Sequence, residues 1–203
     1  MKMKTTFTYQ GWNIVKISAL AIATILALIL LVQGVNESGM RVAIRLTART
    51  SCLLFLSAFI ASTLSRIKSN QLTTWLIKNR RYLGVSFAVS HGYHALAIIG
   101  LVMVTSGEAY QHDHGGTLGY IFIIAMTATS FRAVATLLSP QVWKILHTVG
   151  LYYLWLAFTY SFANRLTTSW VIYLPFVSLL VVAMILRLIA LRRGKSQVLG
   201  GRF

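Results

Sequence analysis

Residues 82–104 read YLGVSFAVSHGYHALAIIGLVMV, a run of 23 residues that contains two histidines and no acidic, lysine or arginine side chain. About 20 predominantly apolar residues cross the hydrocarbon core of a bilayer as an α-helix, so the run predicts a transmembrane helix. His91 and His94 are three positions apart and therefore share one face of that helix. Gly92, between them, would let a flat cofactor or a second helix approach closely.

The composition of the whole chain is that of an integral membrane protein. Of its 203 residues, 57% are apolar and 11% are charged, whereas soluble domains carry about 25% charged residues. The apolar content also excludes an intrinsically disordered chain, because disorder requires low hydrophobicity. A nucleic-acid-binding protein could have a net charge of +16, but it would combine that charge with the composition of a soluble protein. No nucleic-acid partner is therefore expected. The single cysteine, Cys52, excludes an internal disulfide bond.

Five further apolar stretches accompany the first, and together they predict one all-α domain over residues 1–203, an integral membrane six-helix bundle. The predicted spans are about 14–32, 46–64, 82–104, 118–138, 141–162 and 170–190. The first span follows a basic start, but its apolar run is longer than that of a signal peptide. We therefore expect it to be a retained anchor.

The basic residues predict the orientation of the bundle. Six crossings place both termini on one side, which then holds 15 of the 19 Lys and Arg residues, while all three acids fall on the other side. Positive charge concentrates in cytoplasmic loops. The N and C termini are therefore expected in the cytoplasm, and the apolar helices are expected to contact membrane lipid.

His147, in the fifth stretch, is a third histidine at membrane depth, where an ionisable side chain usually marks function. Buried imidazoles form interhelical hydrogen bonds, relay protons, or bind a metal or haem. Proton relays usually add acidic residues, which these spans lack. An axial pair for b-type haem is therefore favoured, made by His147 with either His91 or His94. The simpler alternative is a helix–helix hydrogen bond at each histidine.

Two further groups are candidates for binding. His112 and His114 flank Asp113 in the loop after the third span, and such a cluster can hold a transition metal, although a solvated loop is the favoured interpretation without a further ligand. Arg49, at the start of the second span, is placed to pair with a haem propionate or a lipid headgroup.

Four short motifs resemble those of ferric reductase-like transmembrane domains, in the order and spacing of that family. They are Ala48-Arg49-Thr50-Ser51, Arg80-Arg81-Tyr82-Leu83-Gly84-Val85 followed by His94, Ala128-Thr129-Ser130, and Trp143-x-x-Leu146-His147. The resemblance covers about Ala48 to Tyr160. Within the family, it is nearest to the membrane haem subunits that serve a periplasmic methionine sulfoxide reductase.

The resemblance implies a haem b protein of the bacterial inner membrane that acts as the membrane subunit of an oxidoreductase. Electrons would pass from a cytoplasmic flavoprotein or a quinol to an acceptor on the outer side, and His94 and His147 match the family's haem ligands. Family members often have another histidine where this chain has Tyr160, which favours one haem over two. The flavin domain of larger relatives is absent, so the resemblance also implies a separate redox partner or externally supplied flavin.

Two other functions remain open at this level. The chain would be a non-redox membrane subunit or assembly partner if the histidines serve only as interhelical hydrogen bonds. A small transporter is the other alternative, and it would require acidic residues or broken helices at mid-membrane.

Overall fold

The computed structural model describes residues 9–107 and 114–200, and over those residues the protein is all-helical, as predicted. Seven helices follow one another within these residues. They are α1 (Trp12–Gln33), α2 (Glu37–Ile67), α3 (Gln71–Val104), α4 (His114–Ala128), α5 (Arg132–Ala135), α6 (Pro140–Ala163) and α7 (Leu166–Gly200).

Four helices, α1, α2, α3 and α7, are long and apolar enough to cross a membrane. They coincide with the first, second, third and sixth predicted spans. Their outward surfaces carry large apolar side chains, and Leu31 and Val32 on α1 are 80% and 83% exposed. Such surfaces suit contact with lipid, because a soluble protein rarely exposes large contiguous apolar patches.

The stretch 118–138, expected as one helix, is divided in the structure. Helix α4 ends at Ala128, and one turn, α5, follows it. At the break the hydroxyl groups of Thr129 and Ser130 donate to the carbonyls of Ala125 and Met126, both at 2.7 Å. Side-chain hydrogen bonds of this kind compete with the helical pattern and bend or end helices.

Helices α2 and α3 form the most extensive pair, and their interface is polar. Thr47, Ser51, Ser86 and Ser90 are buried there. The hydroxyl groups of Ser51 and Ser90 join the two helices at 2.9 Å. Small hydroxyl side chains let membrane helices approach closely and bond to each other. The pair is therefore fixed in register, which positions the histidines of α3 against α2.

An aromatic cluster fills the centre of the bundle, between α2, α3 and α6. Phe55 lies with its ring centroid 5.4 Å from that of Phe59, 5.5 Å from Phe87 and 5.4 Å from Phe158. Ring separations of 4.5–7 Å are the favourable range for aromatic pairs. These rings pack α2, α3 and α6 against one another.

Close packing of α4 against α6 depends on Gly150. A Cβ atom at this position would overlap the sulfur of Met126 and lie 3.1 Å from Cδ1 of Phe122. We expect Gly150→Val to destabilise the protein by about 1–3 kcal/mol, the usual effect of overpacking. Thermal unfolding in detergent would measure the change.

Gly92→Val is the matched control, because a Cβ at Gly92 has nothing within 4 Å. We expect the control to unfold at or above the wild-type temperature, since valine is a better helix former than glycine. Equal unfolding temperatures for the two variants would contradict the packing role of Gly150.

Candidate functional site

His91 and His94 share a cavity of about 430 Å³ between α2, α3, α4 and α6, here called the His94 cavity. Volumes of roughly 300–1,000 Å³ are typical of cofactor and ligand sites. Arg45 and Arg165 supply positive charge at its wall, and Phe158 and Phe162 supply apolar surface. The cavity therefore combines an apolar interior, two imidazoles and two guanidinium groups.

The hydrogen bonds of His94 define its tautomer. Its Nδ1 lies 3.1 Å from the carbonyl oxygen of Ile44 and 3.0 Å from Oγ1 of Thr47. A carbonyl oxygen only accepts, so Nδ1 carries the proton. The hydroxyl of Thr47 in turn donates to the carbonyl of Ala43 at 2.7 Å. Nε2 therefore keeps its lone pair, and a backbone carbonyl on the other ring nitrogen is the usual support of a metal-binding histidine.

His91 packs beside His94, with ring centroids 4.9 Å apart. The rings of Tyr120 and Phe158 lie 4.9 and 5.9 Å from that of His91. Its Nδ1 is buried without a hydrogen-bond partner. An unsatisfied buried nitrogen is costly, so this ring is the polar group of the cavity that most needs a ligand or a water molecule.

Gly92 does not have the role that the sequence suggested. It is exposed on the outer side of α3, with nothing within 4 Å of a Cβ placed there. Successive residues of a helix are turned by about 100°, so the residue between two that share a face points away from that face. No helix of the described bundle approaches at Gly92.

His147 lies in a second cavity of about 630 Å³, here called the basic cavity. Its ring stacks on Trp143 at 4.1 Å. Its Nε2 lies 3.0 Å from Oγ1 of Thr129, whose own hydroxyl donates to the carbonyl of Ala125. Nε2 of His147 is therefore the donor in this bond. Metal binding through Nε2 would require the bond to Thr129 to break.

The structure brings His91 and His94 together but places His147 elsewhere. On α6, the residue that contacts His91 is Phe158, 11 positions after His147, which corresponds to about 16 Å along the helix axis. The sequence placed the start of the third span at Tyr82, whereas α3 begins at Gln71. Leu154 lines both cavities and separates them.

No protein-family model, curated protein or solved structure matches this chain. The resemblance to ferric reductase-like domains thus depends on the short motifs alone. The assignment of a function depends on the geometry of the two cavities.

The other sequence candidates lie outside the cavity walls. The guanidinium carbon of Arg49 lies 5.3 Å from the ring centroid of Tyr173, which lines the His94 cavity. Tyr160 is 68% exposed and lines neither cavity. Tyr160 therefore contributes no side chain to either cavity.

The metal-site prediction at His112 and His114 lies outside the described residues, since neither side chain is among them. Within residues 9–107 and 114–200, no group of three or more His, Cys, Asp or Glu side chains is placed to hold a metal ion.

Sequence reasoning did not identify Thr47, Arg45 and Arg165 as parts of the site. The sequence did indicate that the two arginines are unusual. They are among the few basic residues on the predicted outer side, where the positive-inside rule expects little positive charge. Thr47 gave no signal, because its role depends on how α2 and α3 are aligned.

Proposed function

We propose that the protein is a haem b-containing membrane protein that transfers electrons between the two sides of the membrane. The observation that carries the proposal is His94, whose Nδ1–H is held by the carbonyl of Ile44 while the other ring nitrogen remains available. Histidine is a common axial ligand of haem iron, and helix bundles hold such cofactors by side chains that project into the core.

The residues of the His94 cavity fit this group. His94 would hold the iron through Nε2, and Arg45 and Arg165 match the two propionates of a porphyrin, because guanidinium groups pair well with carboxylates. The unsatisfied nitrogen of His91 supplies a further polar atom in the same space. When bound, the haem supplies reversible one-electron oxidation and reduction.

The protein's own residues have separate tasks in this proposal. Ile44 and Thr47 hold the imidazole of His94 in one tautomer and orientation. Phe158 and Phe162 exclude water from one wall of the cavity. A dry surrounding strengthens the electrostatic contribution of the two arginines.

The proposal extends to the arrangement in the membrane. We place the chain in the ferric reductase-like group, as a six-crossing subunit of the bacterial inner membrane in which α4 with α5, and α6, also cross. Both termini lie on the cytoplasmic side. Support comes from five basic residues expected there, which line one cavity: Arg66, Arg80, Arg81, Lys144 and Arg187. A cytoplasmic flavoprotein or a quinol supplies the electrons, and a separate partner on the outer side accepts them.

One haem per chain is the stoichiometry that the proposal assigns. The His94 cavity offers Nε2 of His94 as an available ligand, whereas Nε2 of His147 is used in its bond to Thr129. His147 therefore belongs to the basic cavity and is not part of the axial ligation that we propose.

A pyridine haemochrome assay on the purified protein tests the function. Pyridine replaces the axial ligands, so the assay counts b-type haem whatever its coordination. We expect a value near one haem per chain. A value of zero, from protein expressed with sufficient haem supply, would contradict the proposal and favour a non-redox membrane subunit.

A further inference from the structure

The basic cavity presents an uncompensated concentration of positive charge. Its walls include Arg66, Arg80, Arg81, Lys144 and Arg187, and none of the described residues that line it is Asp or Glu. The ion pair that the described part of the chain does contain, Arg41 with Glu37, lies in the first turns of α2 and not at this cavity. Among the described residues, no acidic side chain compensates the cations of the cavity.

Arg187 is held in place without losing its charge. Its Nε donates to the hydroxyl of Tyr152 at 3.0 Å and its Nη1 to the carbonyl of Phe59 at 3.2 Å. The guanidinium carbon lies 4.6 Å from the ring centroid of Phe59 and 4.9 Å from that of Tyr152. These partners are neutral, so the group is oriented but not neutralised.

Arg80, on α3, is partly buried at the same cavity, and its Nε donates to the carbonyl of Ala58 at 3.3 Å. Two guanidinium groups near apolar surface repel each other, and the cost falls when an anion is bound between them. Their planar N–H groups suit a phosphate oxygen pair.

Part of the remaining wall is apolar, beside a polar part that includes His147 and several Ser and Thr side chains. Phe87, Ile123, Leu151 and Leu154 line the apolar part, and the first and last of these belong to or adjoin the aromatic centre of the bundle. A ligand that fills about 630 Å³ of such space carries an anionic group at one end and an apolar portion at the other. A free inorganic ion would satisfy the arginines alone.

We infer that the basic cavity binds the phosphate headgroup of an anionic phospholipid, with part of an acyl chain along its apolar wall. Basic pockets between membrane helices are typical binding places for such headgroups. Arg80 and Arg187 contact the phosphate, and Lys144, Arg66 and Arg81, which are exposed, surround the entrance. The inference does not depend on a haem in the His94 cavity.

Binding of a short-chain phosphatidylglycerol to the full-length protein in neutral detergent tests this inference. Native mass spectrometry would count the bound lipid, with phosphatidylcholine of the same chain length and inorganic phosphate as separate probes. We expect one phosphatidylglycerol per chain and at least tenfold weaker binding of phosphatidylcholine, because its choline cation is repelled by the basic residues at the entrance. Equal binding of the two lipids would overturn the inference. Displacement of the lipid by equimolar inorganic phosphate would also overturn it, because free phosphate would then be the ligand.

The variant Arg80→Gln with Arg187→Gln should weaken phosphatidylglycerol binding at least about tenfold. Lys78→Gln is the matched control, since Lys78 is an exposed cation on the same helix that does not line the cavity. If the double variant fails to fold, Lys144→Gln, at the exposed entrance, should weaken binding in the same direction. Unchanged lipid binding in the folded variants would overturn the inference. Loss of haem with lipid binding retained would also overturn it, because the cavity would then be assigned to the haem.

Discussion

Replacement of His94 by alanine is expected to abolish binding of the proposed haem. Nε2 of His94 is the nitrogen of this imidazole that the hydrogen bonds to Ile44 and Thr47 leave available. Loss of only an outer-shell partner costs about 10- to 100-fold in metal affinity, and loss of the ligand itself should cost at least that much. Absorption spectra and the pyridine haemochrome assay on the purified variant would measure the effect. We expect the haem content to fall from near one per chain to near zero.

His147→Ala is the matched control for this experiment, because it removes an imidazole of α6 that lines the other cavity. We expect the control to retain its haem. The opposite pattern, with haem kept in His94→Ala and lost in His147→Ala, would move the cofactor to the basic cavity.

Ala157→Trp is expected to prevent haem binding while His94 stays intact. Ala157 lies on α6 at the wall of the His94 cavity, so an indole at this position occupies space that a porphyrin requires. The fold should tolerate the change, because the added volume enters an existing cavity and does not displace packed side chains. Haem per chain, measured alongside the helical circular dichroism signal, would separate lost binding from lost structure.

Leu156→Trp provides the comparison for this variant, since Leu156 is 58% exposed and its side chain points away from the cavity. We expect the comparison variant to bind haem normally. Normal haem content in Ala157→Trp would show that the cofactor lies elsewhere.

The sequence was most informative about the class of fold. Composition and the length of the apolar stretches predicted an all-helical chain with membrane helices. The described residues are all-helical, and four of their helices are long and apolar enough to cross a membrane. Bilayer thickness and hydropathy are properties of single segments, so they can be judged without tertiary contacts. The break after Ala128 was missed because it depends on two hydroxyl groups within an otherwise apolar run.

The candidate site was predicted less completely. Spacing alone showed that His91 and His94 share a face, and the structure places both in one cavity. The separation of His147 was not predictable, because it depends on where α6 lies relative to α3. The hydrogen bond from His94 to the carbonyl of Ile44 was not predictable either. Every residue has a carbonyl group, and only the pairing of α2 with α3 brings this one to His94.

Leu154 lines both cavities, so a charge in one cavity acts on a charge in the other across an apolar side chain. Its hydrocarbon side chain and the aromatic rings nearby contain no mobile ions or water to screen a field. Two unit charges separated by the axial distance from His147 to Phe158, about 16 Å, interact by about 1 kcal/mol in a medium of effective dielectric constant near 20. This corresponds to about 45 mV for a one-electron couple. With the proposed haem and phospholipid both bound, the occupancy of the basic cavity would set part of the redox potential in the His94 cavity, and membrane composition would influence electron transfer.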